Sequence, residues 1–319
     1  MDQNSSGVNI HPDSFMRYGK DIMKTNCCYT LLRKFRSFFG ISPIVCSNAY
    51  NKISKDPDFP KQTKPYHLLW ALMFLKLYST ESIVAGIAGC SEKTFRKWSW
   101  TMLNLLDRLE FELVCQTSVV TMRYALRYQL THSIVVLKID WSSRLEQEYN
   151  LVYPNGTVVY ATVDGTDFRI QEPTPFSKRW YSHKFNGPGL RYEVAISIDK
   201  DGILWTNGPF PAGQYPDIKI FRQALRSLLE PNEKVIADKG YIGEPDDVVI
   251  HRDDMNSLYR ARHETCNKRF KQFNILKNVF RHDLEKHGIV FHCVAVLTQL
   301  SLQWGEELFE VEETIPDVP

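Results

Sequence analysis

The sequence predicts two parts: an all-helical N-terminal region and a mixed α/β domain behind it. Three observations carry this. A helix, a glycine turn and a second helix with a basic first turn lie near residues 81–109. After about Val158 the apolar period switches from helical to the alternation and β-branched runs of strands. Three acidic residues then stand where strands end or a helix is otherwise basic: Asp164, Asp238 and Glu264.

The bulk composition bounds the answer. A chain of 319 residues, 43% hydrophobic and 24% charged, is long enough for a substantial core and ordinary for a globular protein. The net charge of +2 says little by itself, since what matters for a nucleic-acid partner is clustering. The seven cysteines are scattered, without the C-x2-C spacing of a zinc site, and read as reduced thiols of an intracellular protein. The first residues are polar and lack a signal-peptide core, and no apolar run is long enough to span a bilayer.

In chain order, residues 1–14 read as a disordered tail, and 15–128 as the helical region. Phe15–Phe39 is basic, "NKISKDPDFPKQTKP" with its three prolines reads as a linker, and "YHLLWALMFLKLY" is a strong helix. In "TESIVAGIAGCSEKTFRKWSWTMLNLLDRL" the small Ala85 and the turn glycine Gly89 have helix-turn-helix spacing. Ser91 is placed to cap the second helix, and Phe95, Trp98, Met102, Leu105 and Leu109 bury one face. Lys93, Arg96 and Lys97 are left on the exposed first turns, as on a DNA-recognition helix; a helical hairpin that merely packs gives the same pattern.

Residues 129–310 read as the α/β domain and 311–319 as a tail. "TVVYATVDGTDFRI" is a strand up to Asp164, with Gly165 as the turn after it. Strands at Tyr192–Ile198 and Ile203–Thr206 flank a turn at Asp199–Gly202. Pro216 opens the helix "PDIKIFRQALRSLL", "KVIADKGY" is a strand ending at Asp238 with Gly240 turning after it, and Val248–His251 is a short strand. A helical block runs from Leu258, and Ile289–Leu308 is the last helix. Three antiparallel strands followed by helix-linked parallel strands is the order of a ribonuclease-H-like catalytic domain, a mixed sheet with flanking helices.

The acidic residues gain meaning together. Taken singly, Asp238 is a strand-end turn cap and Glu264 an i,i+4 partner. As a set, hard oxygen ligands hold Mg²⁺, and paired ions clamp an in-line phosphoryl displacement. On a helical projection Glu264, Asn267, Lys268 and Lys271 share one face, opposite Phe270, Phe273, Leu276 and Phe280. Between Arg260 and Arg281 seven cations surround this single acid, among them Arg262, Lys268, Arg269 and Lys271, which suit a phosphate backbone. "RWYSHKFNGPGLRY" mixes cations with aromatics and suits either DNA contact or a solvated hairpin lead-in.

The blocks "VDGTD", "AISIDKDGILW" with "NGPF", "PDIKIFR", "ADKGY" and "RHETCNKRFK" resemble, in this order, the catalytic blocks of PIF/Harbinger-type DDE transposases, relatives of bacterial IS5-like elements. The resemblance spans about Asp164 to Phe291, and the upstream helix-turn-helix is also typical of that group. It implies a ribonuclease-H-like fold and cleavage and joining of double-stranded DNA, at element termini and target, by a DDE triad with divalent metal, Mg²⁺ or Mn²⁺, in two ions. By position Asp164 and Asp238 match the two aspartates and Glu264 the glutamate. Asp217 matches a further aspartate counted with the metal site, although an acid in a first helical turn also suits the helix dipole. Asp167 and Asp199 read as turn residues. The 26 residues from Asp238 to Glu264 are fewer than the family pattern, as a trimmed loop gives. The resemblance further implies nuclear action, with "LLRKFR" and "NKRFK" as import signals, oligomerisation on DNA and a separate Myb-like partner. The alternative is a host-adopted, non-catalytic DNA-binding protein that keeps the fold.

Overall fold

The computed structural model describes residues 9–24, 31–114, 141–146, 150–175, 177–198, 202–250 and 254–305. They fall into two compact units, the first within Met1–Glu112 and Arg269–Gly305, the second within Leu113–Lys268. Arg269–Gly305 groups with the helical unit, whereas the sequence reading has the α/β domain run from 129 to 310. The expected tail at 311–319 lies outside the described residues, as do Asp199 and His251.

The helical unit begins with α1 (Pro12–Met23), α2 (Leu31–Phe39), α3 (Pro43–Ile53) and α4 (Pro65–Leu77). Helix α1 takes in Pro12–Ser14, which the sequence reading had placed in a disordered tail; Pro12 sits in its first turn and His11 Nδ1 accepts from the Asp13 N–H. Helix α3 was missed, since its pattern is buried nearly all round and shows no helical stripe. Helix α4 is apolar on every face because its whole middle, Leu68–Leu75, is buried.

Helices α5 (Glu81–Ala88) and α6 (Glu92–Val114), joined by a short turn, occupy the segment where a helix-turn-helix was expected. Gly89 takes the left-handed conformation (φ 70°) that lets the chain leave α5. Ser91 Oγ accepts from the Thr94 N–H at 3.2 Å, and Phe95, Trp98, Met102, Leu105 and Leu109 are all buried. The short helix α9 (Asn274–Lys277) and the long α10 (Glu285–Gln303) complete this unit. Lys76 Nζ donates to the Gln272 carbonyl (2.7 Å) and the Arg281 N–H to the Tyr78 hydroxyl (2.7 Å), which ties this C-terminal segment to α4. Phe273, Leu276 and Phe280, expected on one long helix, lie beyond its end and are buried separately.

The second unit is a seven-stranded mixed sheet. Its strands are β1 (Leu151–Val152), β2 (Val158–Arg169), β3 (Tyr181–Ser182), β4 (Gly187–Ser197), β5 (Ile203–Pro211), β6 (Glu233–Ala237) and β7 (Val248–Ile250). Strand β2 pairs antiparallel with β4, and β4 with β5; β2 pairs parallel with β6, and β6 with β7. The order β5-β4-β2-β6-β7, three antiparallel strands then two parallel ones, is the ribonuclease-H-like arrangement. Helix α7 (Asp217–Gln223) precedes β6, and α8 (Asp254–Lys271) follows β7. Helix α7 is shorter than its sequence pattern: at Ala224 the backbone leaves helical geometry, and a 3₁₀ turn then carries Leu225 into the core beside Phe221. No helix among the described residues is long and apolar enough to cross a membrane.

Candidate active site

The parallel register of β2 and β6 brings two of the expected acids together. Thr162 pairs with Ile236, so two residues further along the neighbouring strands stand Asp164 and Asp238, side by side and on one face. Asp238 is still extended (φ −81°, ψ −177°), and it also caps the following 3₁₀ turn by accepting from the Gly240 N–H at 2.7 Å. Local cap and site member are thus the same residue.

Asp217 joins them from the first turn of α7. A Cβ on Gly165 would lie 1.9 Å from Asp217 Oδ1, and one on Gly240 would lie 3.2 Å from Asp217 Oδ2. The glycines that follow Asp164, here inside β2 and not at its end, and Asp238 therefore leave room for a third carboxylate. The sequence reading had them as turn formers. Gly165 instead lies inside β2, paired with Glu193, and neither glycine has a positive φ. Asp217 Oδ1 is buried without a hydrogen-bond partner, with only the Arg191 guanidinium 3.3 Å away.

Burial raises the Asp164 carboxyl above the ordinary range; the Lys184 ammonium opposes this and the Asp238 charge adds to it. Burial raises Asp217 likewise, with Lys184 and Arg191 pulling down and Asp164 and Asp167 pushing up. Asp167 is a correction. It is a buried strand residue, gripped by Arg191 Nε (2.7 Å) and Nη2 (2.9 Å), and not a turn. Burial works to raise it, but Arg191 and the Ser182 hydroxyl, which donates to Oδ2, hold it low.

Behind this layer is a residue the sequence reading missed. Glu193 on β4 is buried, accepts from Trp205 Nε1 at 3.1 Å, and is pushed up to about 8 by burial. Its signal was available: a glutamate inside the apolar strand "RYEVAIS". The Tyr241 hydroxyl is buried in the same region without a hydrogen-bond partner.

Helix α8 is fixed to β2 on both sides of Glu264. His263 Nδ1 shares a hydrogen bond with Thr162 Oγ1 (3.0 Å), and Asn267 Nδ2 donates to Asp164 Oδ2 (3.2 Å). Glu264 itself is half exposed, its side chain at 52%, with Arg260 Nε 3.4 Å away at i−4. Among the described residues no three His, Cys, Asp or Glu side chains converge closely enough to hold an ion. The structure sets Asp164 and Asp238 on neighbouring strands, brings Asp217 over Gly165 and beside Gly240, and sets Glu264 one helical turn from Asn267, without closing the carboxylates on a common point. The donor set suits a hard cation by type, all carboxylate oxygens with one orphaned and buried at Asp217.

The expected DNA contacts divide. Lys93 and Lys97 are exposed on α6, with Lys97 Nζ 5.1 Å from the Trp98 ring centroid. Arg96 is exposed but its Nε donates to both carboxylate oxygens of Glu81 (2.9 and 2.7 Å), which ties α6 to α5. Lys268 and Lys271 are exposed on α8 and Arg269 is half-buried. Arg262 is a correction: it is 3% exposed, and Nη1 donates to the carbonyls of Ser197 and Ile198, so it serves the interior and not an outer surface.

The sheet is ribonuclease-H-like, with Asp164 within β2 and Asp238 just past the end of the adjacent parallel strand β6. Residues 163–299 match the family model described as DDE superfamily endonuclease, a span that takes in Asp164, Asp217, Asp238 and Glu264. The match supports the DDE transposase superfamily and a transposase-like nuclease function on DNA. No curated protein and no solved structure matches the chain.

Proposed function

We propose that this chain is a Harbinger-like transposase that cleaves and joins DNA strands by divalent-metal-dependent phosphoryl transfer, with Asp164, Asp238 and Glu264 as its triad. The observation that carries the reading is the register that sets Asp164 beside Asp238, with Asp217 seated over Gly165 between them. Asp164, Asp238 and Asp217 would hold Mg²⁺ or Mn²⁺, two ions in the full reading, with Glu264 as the remaining ligand. When bound, such an ion supplies Lewis acidity and lowers the pKa of a water or a 3′-hydroxyl. The chain's own residues do the positioning. Asn267 orients the Asp164 carboxylate, the Gly240 N–H orients that of Asp238, and Arg191 holds Asp217 in place. Lys268, Arg269 and Lys271 on α8, with Lys93 and Lys97 on α6, supply cations for the phosphate backbone. Nuclear action, assembly as a homo-oligomer on DNA and a Myb-like partner complete the proposal.

One observation favours a second reading, a host-adopted DNA-binding protein without catalysis: Glu264 is half exposed and engaged with Arg260. Labelled terminal-repeat DNA incubated with Mn²⁺, with the native chain and with Asp238→Asn, separates the two. Nicked and joined products from the native chain alone support the transposase. Tight binding with no nicking by either supports the second reading. Nicks without joined products make it a nuclease that cuts only.

A further inference from the structure

Lys184 lies in the turn between β3 and β4, in the cation-rich stretch whose role the sequence left open. Its N–H donates to Ser182 Oγ at 3.2 Å, and that hydroxyl donates to Asp167, so the turn is anchored to the acidic end of the sheet. From there Lys184 Nζ donates to the carbonyl of Gly165. Gly165 is the residue over which the Asp217 carboxylate sits, and it directly follows Asp164. The ammonium is thus held on the backbone beside Asp164 and Asp217, although among the described residues it forms no ion pair with either carboxylate. Arg191, the other cation there, is already engaged with Asp167 in a two-point grip.

We infer that Lys184 is a tethered counter-cation of the carboxylate cluster, held on the Gly165 carbonyl beside Asp164 and Asp217, and that its charge opposes the binding of a divalent ion there. The inference rests on the metal-binding reading of these aspartates given above. Carboxylates crowded in a partly buried site repel unless a cation lies among them. A lysine suits an exchangeable role: its charge is compact, it rides on a flexible stem, and a single hydrogen bond to a carbonyl holds it. Withdrawing it removes a positive charge from beside oxygens that suit a harder, doubly charged ion.

The test measures Mn²⁺ binding to the DNA-free full chain by electron paramagnetic resonance of the free ion. The proteins compared are native, Lys184→Met, Lys184→Arg and Asp238→Asn. Lys184→Met is expected to bind Mn²⁺ about fivefold or more tightly than native, as removal of a competing charge requires, with Lys184→Arg near native. Equal or weaker binding by Lys184→Met overturns the inference. Asp238→Asn reports on the underlying metal reading, which fails if native and variant bind alike or not at all. A second measurement, without metal, decides Lys184 even then. The Tm loss caused by Lys184→Met should shrink by about half or more in an Asp217→Asn background, because the charge it balances is gone. An undiminished loss would mean that Lys184 serves only the turn.

Discussion

Glu193→Gln offers a sharp check on the electrostatics behind the candidate site. Glu193 is 1% exposed on the central strand β4, accepts a hydrogen bond from Trp205 Nε1, and faces the charge of Asp217. Burial first, and Asp217 in addition, raise its carboxyl from 4.5 to about 8. A raised carboxyl binds its proton more tightly in the folded chain than in the unfolded one. It therefore adds stability that is fully present below the unfolded value and is lost as pH rises through about 8. Each unit of difference corresponds to about 1.4 kcal/mol, so the native protein should lose about 4 kcal/mol at most from this one group between about pH 5 and pH 8.5. Glutamine has nearly the same volume, keeps an oxygen for Trp205 and cannot ionise. The variant should match native stability near pH 5 and exceed it by up to that amount near pH 8.5. Urea denaturation of both proteins across this range reads the difference directly, since all other titrating groups are common to both. A gap that does not change with pH, or a glutamine variant less stable at every pH, would refute the argument.

Three further outcomes follow from particular contacts. Gly165→Ala should cost about 1–3 kcal/mol in thermal or chemical denaturation and abolish nicking if that activity is present, since the added Cβ falls 1.9 Å from Asp217 Oδ1. Arg144→Met should cost about 3–5 kcal/mol, read by chemical denaturation, because it strands the buried Glu233 carboxylate that Arg144 now binds through Nε (2.6 Å) and Nη2 (2.7 Å). His263, lowered to about 3 by burial, acts with the opposite sign to Glu193: its contribution is present above the ordinary histidine value of 6.5 and is lost as pH falls. His263→Gln should therefore flatten the acid side of the stability curve, by up to about 1.4 kcal/mol per pH unit below that value.

The sequence alone sufficed for the order of the main strands of the sheet and for the two helices joined at Gly89. Strand periodicity, the Ser91 cap and the glycine at 89 are local effects of a few residues, and the structure repeats them. Asp217 and Asp238 stand at the helix start and strand end where the sequence puts them, whereas β2 runs on past Asp164 to Arg169. Tertiary structure decided what each neighbour is for. Gly165 and Gly240 look like turn glycines in one dimension; only the approach of α7 across the sheet shows that they make room for Asp217. Arg262 and Arg96 look like free cations on a helix, yet one turns inward to strand carbonyls and the other grips Glu81. Asp167 resembles a turn aspartate, and only the antiparallel register with β4 sets it against Arg191. Helical and strand periods are written into adjacent residues, whereas the partner of a charge lies tens of residues away and is fixed only when strands pair and helices settle on them.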